Sequence, residues 1–158
     1  MGLDMYLNKR SYVEQWDHNK KNHTVSVKFD GKARKDIKPD RITYVTEGVI
    51  YWRKVNHIHN WFITNCADGV DDCTPICVSV EQLRELYELC DEVLTDPSAA
   101  HDRFPTTSGF FFGDTSYDDY YIDETKRTHK QLKSLLKEHD DSKSKGFHPS
   151  SFEYLASW

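Results

Sequence analysis

A chain of 158 residues fits one domain of ordinary size and is too short for two well-packed ones. Leu, Ile, Val and Phe supply 35 residues, only just above the range of disordered chains, but 4 Trp and 9 Tyr add enough large side chains for a folded core. Lys and Arg number 21 against 26 Asp and Glu, and the resulting net charge of −5 excludes a general nucleic-acid binder, which carries a basic stripe.

The longest uninterrupted apolar run, Val49 to Trp52, is far below the ~20 residues of a membrane span, so no contact with a bilayer is expected. Met1-Gly2-Leu3-Asp4-Met5-Tyr6 lacks the basic start and apolar centre of a signal peptide, and Tyr6 stands where myristoylation takes Ser or Thr. The expectation is a cytoplasmic protein. In that reducing compartment Cys66, Cys73, Cys77 and Cys90 are free thiols or metal ligands rather than disulfides.

In chain order, Asp4 to Lys9 is a short strand candidate. Thr24 to Phe29 alternates, with Val25, Val27 and Phe29 on one face. Asp30 to Asp40, charged and carrying Gly31 and Pro39, is a solvated loop or hairpin connection, and Arg41 to Val45 and Gly48 to Trp52 are further strands. From Trp52 the period becomes helical, with Val55, Ile58, His59, Phe62 and Cys66 on one arc, ending before Asp68-Gly69. Ser79-Val80-Glu81-Gln82 is a capping box opening a second helix, whose buried stripe is Leu83, Leu86, Leu89, Cys90, Val93 and Leu94 and whose stop is Asp96-Pro97. Ser108 to Gly113 reads as a short buried strand. A third helix runs from about Tyr117 to His139, with Tyr121, Thr125, Thr128, Leu132, Leu135 and Leu136 inward. Phe152 to Trp158 is a docked strand. The predicted architecture is a single α+β domain over residues 1–158, a mixed or antiparallel sheet with about three helices packed chiefly on one face. Residues 18–40 form a variable charged loop or hairpin region, and 140–148 a polar linker before the last strand.

The segment Trp52 to Phe62 carries the most chemical information. His57-x-His59 suggests a metal, but on a helix the two rings project ~160° apart and cannot share one ion. His59 falls inside the apolar arc, where it is either a hydrogen-bonded structural histidine or part of a pocket wall, and Asn56 at the edge of that arc shares the alternative. His57 joins Arg53 and Asn60 on the polar side. Arg53 and Lys54 are placed in the first turn, where the helix dipole disfavours cations, so a negative partner is expected: a carboxylate of the chain or an anionic ligand. No glycine-rich phosphate loop accompanies them.

Asp68-Gly69-Val70-Asp71-Asp72-Cys73 lacks the alternation of a calcium loop, and a turn with capping acids is the simpler reading. Cys73-x3-Cys77 has tolerable zinc spacing, but Cys66 and Cys90 sit on separate helices and reduced thiols are the simpler account. Neither a metal nor a cofactor is expected. Phe110 to Phe112, Tyr117, Tyr120 and Tyr121 supply core area or a stacking surface for a planar ligand, with Asp118 and Asp119 accepting from its polar edge. No GxSxG or HExxH motif marks a catalytic centre.

Several motifs carry a resemblance: Met1 to Leu7, Tyr51-Trp52-Arg53-Lys54-x-Asn56-x-Ile58-His59-x-Trp61-Phe62, Asp68 to Cys73, Ser108 to Gly113, Tyr117-Asp118-x-Tyr120-Tyr121 and Tyr154-x-Ala156-Ser157-Trp158. Over nearly the whole chain they resemble a group of small proteins encoded by tailed phages and prophages. Cys66 and Cys77 depart from that pattern, and the charged segment from His18 to Asp40 is particular to this chain. The resemblance implies a setting rather than a mechanism: a phage accessory protein acting in the host cytoplasm, of the kind that captures nucleotide signals made by bacterial immune systems.

The leading expectation is a counter-defence protein that binds a small anionic, nucleotide-derived ligand without turnover. Arg53 and Lys54 would hold phosphate, His59 and Asn56 would fix polar groups, and Trp61, or Tyr120 with Tyr121, would stack the planar part beside Asp118. Sequestration calls for nanomolar affinity, on the order of −12 kcal/mol, which a pocket shared by a homo-oligomer supplies more readily than a shallow cleft. Two alternatives stand beside it. One is an acidic module that docks onto a host defence protein. The other is a small hydrolase acting on a nucleotide, with His59 as acid or base beside an Asp of the Asp68 to Asp72 loop.

Overall fold

The computed structural model describes residues 2–14 and 24–158. Its elements are β1 (Asp4–Tyr12), β2 (Lys28–Phe29), β3 (Lys32–Ala33), β4 (Tyr44–Arg53), α1 (Asn56–Cys66), β5 (Ile76–Val78), α2 (Val80–Thr95), the short α3 (Ala100–Arg103), α4 (Asp119–Ser144) and β6 (Ser151–Ser157). The main sheet has the order β4-β1-β6-β5, and every pairing in it is antiparallel.

Strand alternation sets the layers. The register aligns Met5 with Trp52 and Ala156, Leu7 with Ile50 and Tyr154, and Phe152 with Val78, and all of these are buried. Tyr6, aligned with Tyr51 and Leu155, lies on the opposite face, where both tyrosines are exposed. Helices cover the first face: Trp52 Nε1 donates to Thr128 Oγ1 of α4 at 2.8 Å, and Phe62 of α1 stacks on Tyr154 at 4.0 Å between centroids. The fold is α+β, as the order of elements in the chain implies. Among the described residues, no helix is long and apolar enough to cross a membrane.

α2 opens with the full capping box, Ser79 Oγ accepting from Gln82 N while Gln82 Oε1 accepts from Ser79 N. Its buried residues are Leu83, Leu86, Cys90 and Val93, with Leu89 packed at the margin. The expected inner stripe of α4 is buried throughout, and His139 extends it.

Elsewhere the chain departs from the sequence reading. Residues 140–144 are the last turn of α4 rather than linker, tied to α2 by Arg84 Nη2 on Asp140 at 2.6 Å, and Gly146 (φ +77°) closes the helix. The strand expected over Thr24 to Phe29 shrinks to Lys28–Phe29, paired with Lys32–Ala33 across Asp30 and Gly31, both at positive φ. Its alternating residues have no sheet to cover, and Phe29 is exposed. Residues 18–23 of the expected variable region lie outside the described residues. The two strands expected at Arg41 to Val45 and Gly48 to Trp52 are one, β4, preceded by a single 3-10 turn at Pro39–Arg41.

Ser108 to Gly113 forms a turn, not a strand: Phe112 N donates to Gly109 O at 3.1 Å, and Gly113 sits at φ +85°. A Cβ on Gly109 would fall 2.6 Å from the Phe112 ring, so the chain can fold back this tightly only with glycine there. Phe112 is buried by the reversal, whereas Phe110 at its tip is 95% exposed.

β4 continues through Arg53, and α1 starts at Asn56 rather than Trp52. His57, assigned to the polar side, is buried because α3 and α4 close over that flank. Its ring lies 4.0 Å from that of Tyr121 and meets Phe104 edge-on at 4.8 Å. Thr125 Oγ1 spends its proton on Tyr121 O, so His57 Nε2–H donates to Thr125 Oγ1 at 3.0 Å. Burial lowers the His57 pKa from 6.5 to about 3. Between those two values the unfolded chain holds a proton that the folded one refuses, so stability is full above pH 6.5 and falls as the pH drops toward 3. The component from His57 is about tenfold in the folding constant per pH unit within that window. Denaturant titrations of the parent and His57→Gln between pH 7.5 and 5 should give a steeper pH dependence for the parent; equal slopes would refute the buried neutral ring.

Candidate functional site

The junction between β4 and α1 places the cationic pair. Arg53 ends the strand, and its side chain reaches Asp4 at 3.7 Å, where the Tyr51 hydroxyl also donates at 2.5 Å. Lys54 makes the turn itself at φ +56°, with its N–H on Leu3 O at 2.8 Å. Val55 is the N-cap and offers no side-chain bond. The two cations are therefore not in the first turn of α1, and the negative partner of Arg53 is a carboxylate of the chain.

Asn56 sits in that first turn and is buried. Its Nδ2 donates to Phe112 O at 3.1 Å and Asp114 O at 2.8 Å, and its Oδ1 accepts from Thr107 N at 3.1 Å. One turn on, Asn60 Nδ2 donates to Pro105 O at 3.2 Å. Together they bind the 105–114 loop to α1.

His59, 1% exposed, faces β6 on one side and that loop on the other. Its Nδ1 lies 2.7 Å from the Tyr154 hydroxyl and its Nε2 2.9 Å from Asp71 Oδ2, while Phe112 meets the ring edge-on at 5.0 Å. Asp71 Oδ1 accepts from Trp158 Nε1 at 3.1 Å. A carboxylate only accepts, so His59 carries its hydrogen on Nε2, and in the neutral ring Nδ1 accepts from Tyr154. Burial, with Asp71 nearby, raises the Tyr154 pKa well above 10, which keeps that phenol a donor. The result is a continuous chain, Tyr154 to His59 to Asp71, closed by Trp158.

This chain underlies a cleft of about 450 Å³ lined by His59, Asp71, Ser108, Phe110, Phe111 and Trp158, with Asn60, Ile63, Thr107, Gly109 and Phe112 completing its wall. Asp71, 24% exposed at its side chain, carries the formal charge of the lining, and Phe112 meets Trp158 edge-on at 6.0 Å. Among the described residues, no Lys or Arg contributes to the lining. The cleft thus offers aromatic faces and one oriented carboxylate, a combination suited to a planar group bearing N–H donors.

The other predicted residues lie apart from the cleft. Trp61 is buried edge-on against Phe62 at 5.2 Å, and Asp118 caps α4 by accepting from Tyr121 N. Tyr121 is buried with its hydroxyl on Phe104 O at 2.7 Å. Tyr120 is half exposed and donates to Arg53 O at 2.7 Å. His59 is the residue shared by the predicted set and the cleft lining. Phe110 and Phe111 belong to the segment read as core or stacking surface, and Asp71 to the Asp68 to Asp72 loop that the hydrolase alternative pairs with His59; Trp158 has no place in the predicted site. Nothing in the sequence spacing brings Tyr154 and Trp158 to His59; the β1–β6 pairing does.

All four cysteines are free thiols, Cys73 and Cys77 exposed, Cys66 half-buried and Cys90 buried. Burial, aided by Glu85, pushes the Cys66 thiol up to about 12. Among the described residues, no group of three or more His, Cys, Asp or Glu side chains is arranged to hold a metal ion.

Comparison with protein-family models, curated proteins and solved structures returns no match to this chain.

Tyr154→Phe removes the donor to His59 Nδ1 and leaves a buried acceptor unpaired, at a cost of ~1–3 kcal/mol. Equilibrium denaturation should show that loss, and nitrogen-15 spectra of the parent should place the His59 proton on Nε2. An unchanged denaturation midpoint, or a proton on Nδ1, would contradict the hydrogen-bond chain.

Proposed function

We propose that this chain is a non-catalytic binding protein whose cleft takes the planar end of a small nucleotide-derived ligand, leaving its anionic part outside. The supporting observation is the Asp71 carboxylate, held from two sides by His59 and Trp158 beneath aromatic walls that, among the described residues, carry no cation. The polarity is the reverse of that expected from Arg53 and Lys54: the base enters and phosphate stays in water. Taken with the resemblance to phage-encoded proteins, the role is counter-defence, withdrawing a nucleotide signal of the host, and the affinity that sequestration needs favours a homo-oligomer.

A second reading, a hydrolase, draws on the pairing of His59 with Asp71. The sealed ring argues against it: both nitrogens are occupied within the protein, and a substrate proton has no route to either without dismantling the hydrogen-bond chain.

Isothermal titration with nucleosides and linear and cyclic nucleotides should give stoichiometric binding without product formation. A sugar phosphate lacking a base should give no heat, and Phe110→Ala should weaken all base-bearing ligands about tenfold, the scale of one lost stacking contact. Absence of heat from every nucleoside and nucleotide would overturn the reading. Turnover of a labelled nucleotide, lost in His59→Ala, would replace it with the hydrolase.

A further inference from the structure

We infer that Asp71 makes the cleft selective for a planar group presenting two adjacent, parallel N–H donors, which among the common nucleobases is guanine. The inference rests on the reading of the cleft as a nucleobase seat and adds which base it prefers.

An ionised carboxylate has about four acceptor positions, two on each oxygen. The protein uses one on each: His59 Nε2 takes Oδ2 at 2.9 Å and Trp158 Nε1 takes Oδ1 at 3.1 Å. One acceptor position therefore remains on each oxygen. Two bonds from separate elements, α1 and the residue following β6, also fix the rotation of the carboxylate, so the remaining pair is presented as a preformed fork. A ligand with two parallel donors satisfies both positions at once, and such charge-assisted bidentate pairing exceeds a single neutral bond in strength. Among the described residues, no Lys or Arg of the lining competes for the carboxylate.

Guanine matches through its ring N–H and the neighbouring amino group. Hypoxanthine keeps the ring N–H and lacks the amino group. Adenine and cytosine set a ring acceptor beside their amino donor, and that acceptor would face a carboxylate oxygen with no proton between them. A buried acceptor left facing a charge costs more than an absent bond, so discrimination by this route is large. Phe110 and Trp158 accept any base equally and carry no part of the selectivity.

A guanidinium group carries the same two-donor fork, so the test needs an arm for it. Guanosine, inosine, adenosine and arginine amide are titrated into the full chain and into Asp71→Asn. The expected order is guanosine first, inosine at least tenfold weaker and adenosine weaker still, with arginine amide below guanosine for want of a flat double ring. In Asp71→Asn guanosine should fall by at least tenfold, to near inosine, while adenosine weakens no further. The ranking of ligands on the unaltered protein tests the inference whether or not the variant folds. Equal affinity for guanosine and adenosine, or arginine amide binding ahead of guanosine, would overturn it while leaving a binding cleft in place. Uniform weakening of every base in a folded Asp71→Asn would do the same. Silence from every nucleoside would take the proposed function with it.

Discussion

A helix that buries six of its eleven residues, two histidines and an asparagine among them, must find a partner for each polar atom it removes from water. Much of the surrounding structure follows from meeting that demand on α1. Asn56 bonds to the 105–114 loop and holds it against the helix. His57 bonds to Thr125 and so commits the packing of α4. His59 bonds to Tyr154 and Asp71, which ties the helix to the sheet on one side and to the loop after it on the other. His57 is a directional link between α1 and one neighbour and His59 between α1 and two, and the apolar contacts of Ile58 and Phe62 fill the space between those links.

The same demand accounts for where the cleft lies. The loop pinned by Asn56 is drawn into a glycine-bounded turn that turns Phe112 inward and leaves Phe110 in water. Asp71 is brought to the same rim by His59, and Trp158 closes over it from the last described strand. A charged group in a partly apolar wall is tolerable because two donors hold it, and those donors leave its outer edge free. The geometry that satisfies the core therefore also orients the one feature of the surface suited to recognition.

Periodic segments were legible in the sequence. The stripe of α4 and the capping box of α2 are decided by neighbours within one or two turns, and so they can be read from spacing alone. β1 and β6 were also recognisable, because one buried face imposes alternation on each. What could not be read is set by contacts distant in the chain. Helix α1 starts four residues later than the expected start at Trp52, since Trp52 serves the sheet with the same apolar side chain a helix would use. The misplacement of that boundary put Arg53 and Lys54 at a helix terminus they do not occupy. His57 was assigned to solvent because a helical wheel knows only one core face, whereas α1 is covered on two. Ser108 to Gly113 has the composition of a buried strand and lacks any strand to pair with. For the candidate site, His59 and the acidic loop were each visible, but their partnership with Tyr154 and Trp158 exists only once β6 lies beside β1.

That placement of β6 bears on how the molecule is made. Strand β1 opens the described chain and β6 closes it, yet the two are neighbours in the middle of the sheet, between β4 and β5. Pairing strands this far apart in the chain is slow, because a long loop must close before the contacts offset its entropy. Until β6 pairs, β1 lacks a neighbour along one edge, His59 lacks the Tyr154 hydroxyl, and the short edge strand β5 has no ladder to join. The cleft therefore depends on β6 being in place: without it half the sheet is unpaired, and His59 and Asp71 each lose a partner.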